Sequence, residues 1–156
     1  MLETFMRELS PCGENILYLS QIDTPLGPMM VLADCRYIHV LKFFDQHHLV
    51  RDTQRLLTRL KSKIVLQENE LISSLSLELK SYFMGALKEF KTPFVWKGTD
   101  FQEATWKVLI ALPYGATQSY MAQATAVGNP KGFRAVANAN AMNALAIIVP
   151  CHRIIH

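Results

Sequence analysis

Apolar residues recur along the N-terminal half of the chain in two different periods. Ile16 to Ile22 partly alternates and is rich in β-prone residues, which predicts a strand. Thr24-Pro25-Leu26-Gly27-Pro28 then reads as a turn, because proline fixes φ and glycine permits a reversal. Met29 to Ala33 and Tyr37 to Phe44 predict two further strands, separated by Asp34-Cys35-Arg36. A small antiparallel sheet is the economical assembly of the three. The period then changes. Leu49, Leu56, Leu57 and Leu60 fall on one side of a helix over 49–60, with basic residues opposite. Leu71, Leu75, Leu79, Tyr82, Phe83 and Leu87 form a second stripe, on a helix that should begin near Asn69 and cover the sheet.

Lys91-Thr92-Pro93 and Lys97-Gly98 break the helical pattern, which places a domain boundary between Phe90 and Gly98: an N-terminal domain over 1–92 and a C-terminal one over 93–156. Thr99-Asp100-Phe101-Gln102 fits a capping box, so a helix should start there and run to about Leu112, before Pro113-Tyr114-Gly115. A short helix from Ser119 should end at Gly128, with a third from Pro130 to about Ala141, capped by Asn129. Two short helices joined by such a turn outline a helix-turn-helix, although the same shape also occurs as plain core. The third helix carries Ala135, Ala137, Ala139 and Ala141, small side chains that permit close approach to a neighbouring helix or to a nucleic-acid backbone. Ala144 to Cys151, the longest apolar run, reads as a buried strand. The fold class is therefore α+β: a small N-terminal antiparallel sheet with helices, then a helical domain of helix-turn-helix type.

Composition narrows the function. The chain has 156 residues, half of them hydrophobic and 19% charged, which suits one ordinary domain or two small ones. No apolar run is long enough to span a bilayer, and the first 15 residues lack a secretory pattern, so no membrane is expected. Three cysteines, Cys12, Cys35 and Cys151, argue against a disulfide scaffold and for a reducing compartment, in which one thiol could serve for its reactivity. Residues 1–103 hold 12 Lys/Arg against 13 Asp/Glu, whereas residues 104–156 hold Lys107, Lys131, Arg134 and Arg153 and no acid. A stretch free of carboxylates suits a surface that approaches a polyanion, and equally a small apolar domain with few charges.

Pro150-Cys151-His152-Arg153 brings a thiol next to two potentially cationic residues. A thiolate is the nucleophilic form of cysteine, and nearby cations favour it. Neighbours in a strand face opposite ways, so His152 serves Cys151 only if the chain turns there, or through a water. On these grounds alone a buried structural cysteine is the simpler reading of Cys151.

The wider pattern changes that balance. The Pro150–Arg153 motif resembles the active-site motif of the O6-alkylguanine-DNA alkyltransferases, the methylated-DNA–protein-cysteine methyltransferases. Pro113-Tyr114-Gly115, Ser119-Tyr120, Gly128-Asn129-Pro130-Lys131 and Arg134-Ala135-Val136 stand in that family's order and spacing over residues 99 to 156. Over residues 1–98 the likeness is general, clearest at the Asp23–Gly27 turn. The resemblance implies a ribonuclease-H-like N-terminal domain and a C-terminal winged helix-turn-helix-like domain carrying the cysteine. It implies repair by direct reversal: the alkylated guanine, with O4-alkylthymine as a further substrate, is flipped from the duplex and Cys151 takes the alkyl group irreversibly, once per molecule. Arg134 would fill the vacated gap and Tyr120 would crowd the 3′ phosphate. Ser119, Lys131, Ala135 and Arg153 would complete the DNA contacts. His152 would relay the thiol proton through a water, and Asn143 would tie together the turn before the cysteine.

The same resemblance marks departures. The family usually has glycine where Ala137 and Ala141 stand, and proline where Ala144 stands. At Ala141 the glycine would serve a positive φ or a close approach. Family members continue past the position of His156 with a pocket loop and a glutamate that orients the histidine, whereas no acid follows Glu103 here. The expectation is a form shortened after the Pro150–Arg153 motif, either a working alkyltransferase or a relative that binds damaged DNA and flips the base without efficient transfer. The partner is double-stranded DNA, with the protein a monomer in the cytoplasm, or in the nucleus of a eukaryote. No cofactor is needed. Some relatives bind zinc near the positions of Cys12, Cys35 and His39, but His47 and His48 fall in a loop or helix start and supply no fourth ligand, so no metal is assigned. Trp96 and Trp106 read as packing residues.

Overall fold

The computed structural model describes residues 1–9 and 15–156. These fall into two compact units, Met1–Val95 and Trp96–His156; the break lies between Phe90 and Gly98, three residues past the 92/93 division drawn from the sequence.

In the first unit, β1 (Asn15–Thr24) and β2 (Gly27–Ala33) form a hairpin, and β3 (Ile38–Phe43) pairs antiparallel with β2. Gly27 sits at φ 120°, which lets the two-residue turn close with Thr24 opposite Gly27. The sheet is not antiparallel throughout, as the sequence pattern suggested. A fourth strand, β4 (Ser62–Leu66), pairs parallel with β1 and gives the order β3-β2-β1-β4. Its five residues, Ser-Lys-Ile-Val-Leu, are too few and too mixed to announce a strand, and its partner lies 47 positions earlier, at Asn15 opposite Ser62. The helices α1 (Leu2–Arg7), whose short pattern gave no signal, and α2 (Leu49–Leu60) cover one face. Phe5, Leu49, Leu56 and Leu57 pack there against Leu17, Leu19, Met30, Leu32 and Val40. The alternate residues Met29, Val31 and Leu41 are also fully buried, and α3 (Glu70–Phe83) packs on β1 and β2. Both faces being covered explains why β2 is apolar along its whole length rather than alternating.

The helix starts follow local chemistry. The Asn69 side chain accepts from the Ile72 N–H at 3.0 Å and caps α3. After α3 the chain does not swing free. Glu78 accepts from the backbone N–H groups of Lys91 (2.8 Å) and Thr92 (3.2 Å), and Ile38 exchanges hydrogen bonds with Pro93 and Val95. Residues 91–95 thereby cover part of the open edge of β3, which would otherwise invite pairing with another chain.

His39, on β3, donates from Nε2 to Oδ2 of Asp34 in the β2–β3 turn at 2.8 Å. Burial pushes the Asp34 carboxyl up. The hydrogen bonds from His39 and from the N–H groups of Arg36 and Tyr37 outweigh it and hold the group below its ordinary value. Of the residues weighed for zinc, Cys12 lies outside the described residues and Cys35 is exposed. Among the described residues, no cluster of three His, Cys, Asp or Glu side chains could hold a metal ion, and no helix is long and apolar enough to cross a membrane.

The second unit is built on α4 (Asp100–Ile110), α5 (Tyr120–Ala126) and α6 (Phe133–Ala141). The capping box is present: Thr99 Oγ1 accepts from the Gln102 N–H and Gln102 Oε1 from the Thr99 N–H. At the end of α5, Gly128 at φ 82° donates to Thr125 and Asn129 donates to Ala124, a Schellman closure. The third helix starts later than expected. Gly132 N–H donates to the Asn129 carbonyl at 2.8 Å, so Asn129-Pro130-Lys131-Gly132 is a β-turn and α6 begins at Phe133. Asparagine first, proline second and glycine fourth is the pattern a β-turn prefers, and it outcompetes a helix cap at Asn129.

Candidate active site and DNA interface

The three helices of the second unit are held in register by buried polar side chains. Trp106 Nε1 donates to the Ala139 carbonyl at 2.9 Å and ties α4 to α6, while the Trp96 ring packs edge-on against Trp106. Gln123 and Asn140 exchange hydrogen bonds between α5 and α6, at 3.2 and 2.9 Å. Gln123 Nε2 also donates to the Thr105 carbonyl on α4. Gln123 is completely buried and Asn140 nearly so. Sequence reasoning passed over this pair. The available signal was an amide on the apolar face of each of two adjacent helices.

After α6 the structure overturns the expected strand. The segment 144–150 forms a tight loop in which Val149 N–H returns to the Leu145 carbonyl and Ile148 N–H to Ala146, both at 2.9 Å. Leu145, Ile147, Ile148 and Val149 are nonetheless buried, so the apolar run reflects burial and not extension. Ile147 stands at φ 73°, a conformation costly for a β-branched residue, with a backbone strain of about 1–3 kcal/mol stored beside the site.

Asn143 organises this loop. Its Oδ1 accepts from the Leu145 N–H at 2.9 Å, and its Nδ2 donates to the carbonyls of Val149 at 2.9 Å and Leu145 at 3.4 Å. The same Nδ2 lies 3.5 Å from Cys151 Sγ, the one contact here that the sequence did not suggest. Nδ2 has two N–H groups for these three acceptors, so the hydrogen bond that stabilises negative charge on the sulfur is a shared one. Cys151 is half-buried, neither walled off in the core nor fully open.

Cys151–Arg153 is a single 3-10 turn, followed by β6 (Ile154–Ile155), which pairs parallel with β5 (Gln118–Ser119). In such a turn successive side chains are about 120° apart, so Cys151 and His152 do not face opposite ways as they would in a strand. His152 is exposed at the surface. Its imidazole is held below the ordinary value of 6.5, first by the protein that partly desolvates it and then by the charge of Arg153. It is therefore neutral at pH 7 and able to accept a proton.

The other sequence-predicted residues occupy two surfaces. Arg134 and Ala135 are exposed on the first turn of α6, and Lys131 is exposed on the β-turn before it. Ser119 caps α5 by accepting from the Ala122 N–H at 3.1 Å. Tyr120, the next residue, is half-buried with its ring 5.6 Å from that of His156. Arg153 is also tied into the fold. Its Nη1 donates to the carbonyls of Leu112 and Pro113, at 3.3 and 3.4 Å, and its guanidinium lies 5.3 Å from the centre of the Tyr114 ring. Those carbonyls follow the end of α4, and that of Pro113 also accepts from the Ala116 N–H at 3.0 Å, so Arg153 braces the corner where the chain leaves the helix. Ala141 is the exposed last residue of α6 and has no positive φ, so no glycine is required at that position.

Comparison with known proteins agrees with this geometry over the chain. Residues 100–156 match the model of the 6-O-methylguanine DNA methyltransferase DNA binding domain, and residues 17–95 match that of its ribonuclease-like domain. A methylated-DNA–protein-cysteine methyltransferase of Methanosarcina acetivorans is 34% identical, over 89% of this chain and 83% of the relative. The constitutive enzyme of that name from Bacillus subtilis is 38% identical, over 88% and 80%. The crystal structure of Mycobacterium tuberculosis OGT in complex with DNA superimposes with a TM-score of 0.74 at 35% identity, covering 88% of this chain and 78% of that one. The two-domain order, the helix pair and the cysteine-bearing loop thus have one source: the chain belongs to the methylated-DNA–protein-cysteine methyltransferase family.

Proposed function

We propose that this protein repairs DNA by accepting an alkyl group from O6-alkylguanine onto Cys151, in a single irreversible turnover. The observation that carries the assignment to Cys151 is the Asn143 Nδ2–H directed at its sulfur from within a loop that the same asparagine holds closed. The Cys151 thiolate attacks the alkyl carbon attached to the guanine O6. The S–C bond forms as the C–O bond breaks, and the bonding pair returns to the purine. The thiol proton passes to neutral His152 through a water and is delivered to the guanine product, so protons and charge balance. Asn143 stabilises the anion before attack.

The acid-free stretch 104–156 supplies a surface that does not repel phosphate. Arg134, Ala135 and Lys131 form the exposed strip that meets the duplex, with Arg134 occupying the gap left by the flipped base. Tyr120, placed by the Ser119 cap, crowds the backbone on the 3′ side. Arg153 adds positive potential while fixing the Leu112–Pro113 corner. The protein works where DNA is found and thiols stay reduced, the cytoplasm or a nucleus.

The rival reading, a relative that flips damaged bases without transfer, is separated by mass. Incubation with duplex DNA containing O6-methylguanine should add one methyl mass to the peptide holding Cys151. Salt-sensitive binding with an unchanged mass would reject transfer and favour the binding module.

A further inference from the structure

We infer that Phe133 is a second wedge into the base stack, acting beside Arg134 when the damaged base is extruded; this rests on the repair reading above. Phe133 is the first residue of α6 and leaves 46% of its surface exposed, although a phenyl ring gains from burial. The buried face of the helix is formed by Val136, Ala139 and Asn140 and does not include it. The Arg134 guanidinium carbon lies 5.7 Å from the centre of the ring, within cation–π range. Phe133, Arg134 and Ala135 are three consecutive exposed residues, so the only large apolar group on that turn adjoins its only cation.

A wedge needs a rigid mount. Here the mount is the closed turn ahead of the ring, where Gly132 N–H returns to the Asn129 carbonyl. A side chain at Gly132 would collide with that of Asn129, so the backbone approaching the ring is as slim as a protein allows. No acidic residue follows Glu103, and nothing on this part of the chain opposes entry among phosphates. Proteins that bind the minor groove insert apolar side chains between base steps and unstack them. In the free protein the ring holds the guanidinium beside it. On DNA, Arg134 enters the gap and Phe133 stacks on the exposed face of an adjoining base.

The test compares the rate of alkyl transfer to Cys151 from three substrates: duplex O6-methylguanine opposite cytosine, the same duplex with an abasic site opposite the lesion, and free O6-alkylguanine base. Phe133→Ala should lower the ratio of the paired-duplex rate to the free-base rate about tenfold, the scale of a lost base–aromatic stack. Phe133→Trp should restore most of it, and the abasic duplex should narrow the loss, because less stacking must be broken. Equal losses on duplex and free base, or no loss on the duplex, would overturn the wedge while leaving the repair reading in place. Failure of the unmodified protein to transfer from any substrate would overturn both.

Discussion

Asn143→Ala removes one side chain that does two jobs, and the sizes of both can be worked out. The side chain is 7% exposed, so no water replaces it readily. Its loss orphans the Leu145 N–H, bonded at 2.9 Å, and takes one of two donors from the Val149 carbonyl, which keeps the Cys151 N–H. One buried group left unpaired costs about 1–3 kcal/mol, so the second unit should lose roughly that much. The donor on Cys151 Sγ is lost as well. A hydrogen bond to a charged group contributes about 1.5–3 kcal/mol, which is a transfer rate about 10- to 100-fold slower at a given folded fraction. Denaturant unfolding followed by tryptophan fluorescence gives the first number, since Trp96 and Trp106 both lie in this unit. Single-turnover transfer from a free alkylguanine base, in conditions where the variant is fully folded, gives the second. Asn143→Asp separates them further. It keeps an acceptor for Leu145 but sets a carboxylate against the sulfur, so transfer should fall further than stability does. A folded Asn143→Ala protein with a rate within twofold of the parent would refute the role assigned to Nδ2.

Other outcomes follow from the same geometry. Gln123→Leu leaves the Asn140 amide unpaired in the core and should cost about 2–4 kcal/mol, one to two unsatisfied buried groups; adding Asn140→Leu should cost less than the two single variants sum to in a double-mutant cycle, and simple additivity would contradict the pairing. His152 is depressed below 6.5, so the unfolded chain binds more protons between that folded value and 6.5. Its contribution to stability is therefore complete above pH 6.5 and is lost as pH falls through the folded value. The acid limb of the transfer rate should lie below pH 6.5 and disappear in His152→Gln; a limb centred at or above 6.5 would contradict the assignment. Arg134→Ala should weaken duplex binding and reduce the slope of log affinity against log salt by about one, measured by fluorescence anisotropy. Cys151→Ser should abolish methyl uptake while exposed Cys35→Ser does not, as read by intact mass.

What the sequence determined by itself was whatever closes within about one turn of chain. The Asn69 cap, the Thr99–Gln102 capping box and the Gly128 closure depend on hydrogen bonds between residues three to five apart, so the local residue types suffice. The order of motifs around Cys151 likewise carried the family without coordinates. The start of α6 was also local, but two local rules competed at Asn129-Pro130, and the turn that reaches Gly132 prevailed.

Tertiary structure decided the rest. β4 exists because β1 offers it a parallel edge 47 positions earlier, a partner that no window around Ser62–Leu66 contains. The run from Ala144 to Val149 was apolar enough for a strand, yet burial asks only for hydrophobicity and leaves the backbone path open. Asn143 settled that path by bonding both ends of the loop, and in doing so it set an N–H against the sulfur of Cys151. Periodicity reports which side chains leave water. Where a buried polar group finds its partner is fixed only when distant parts of the chain come together.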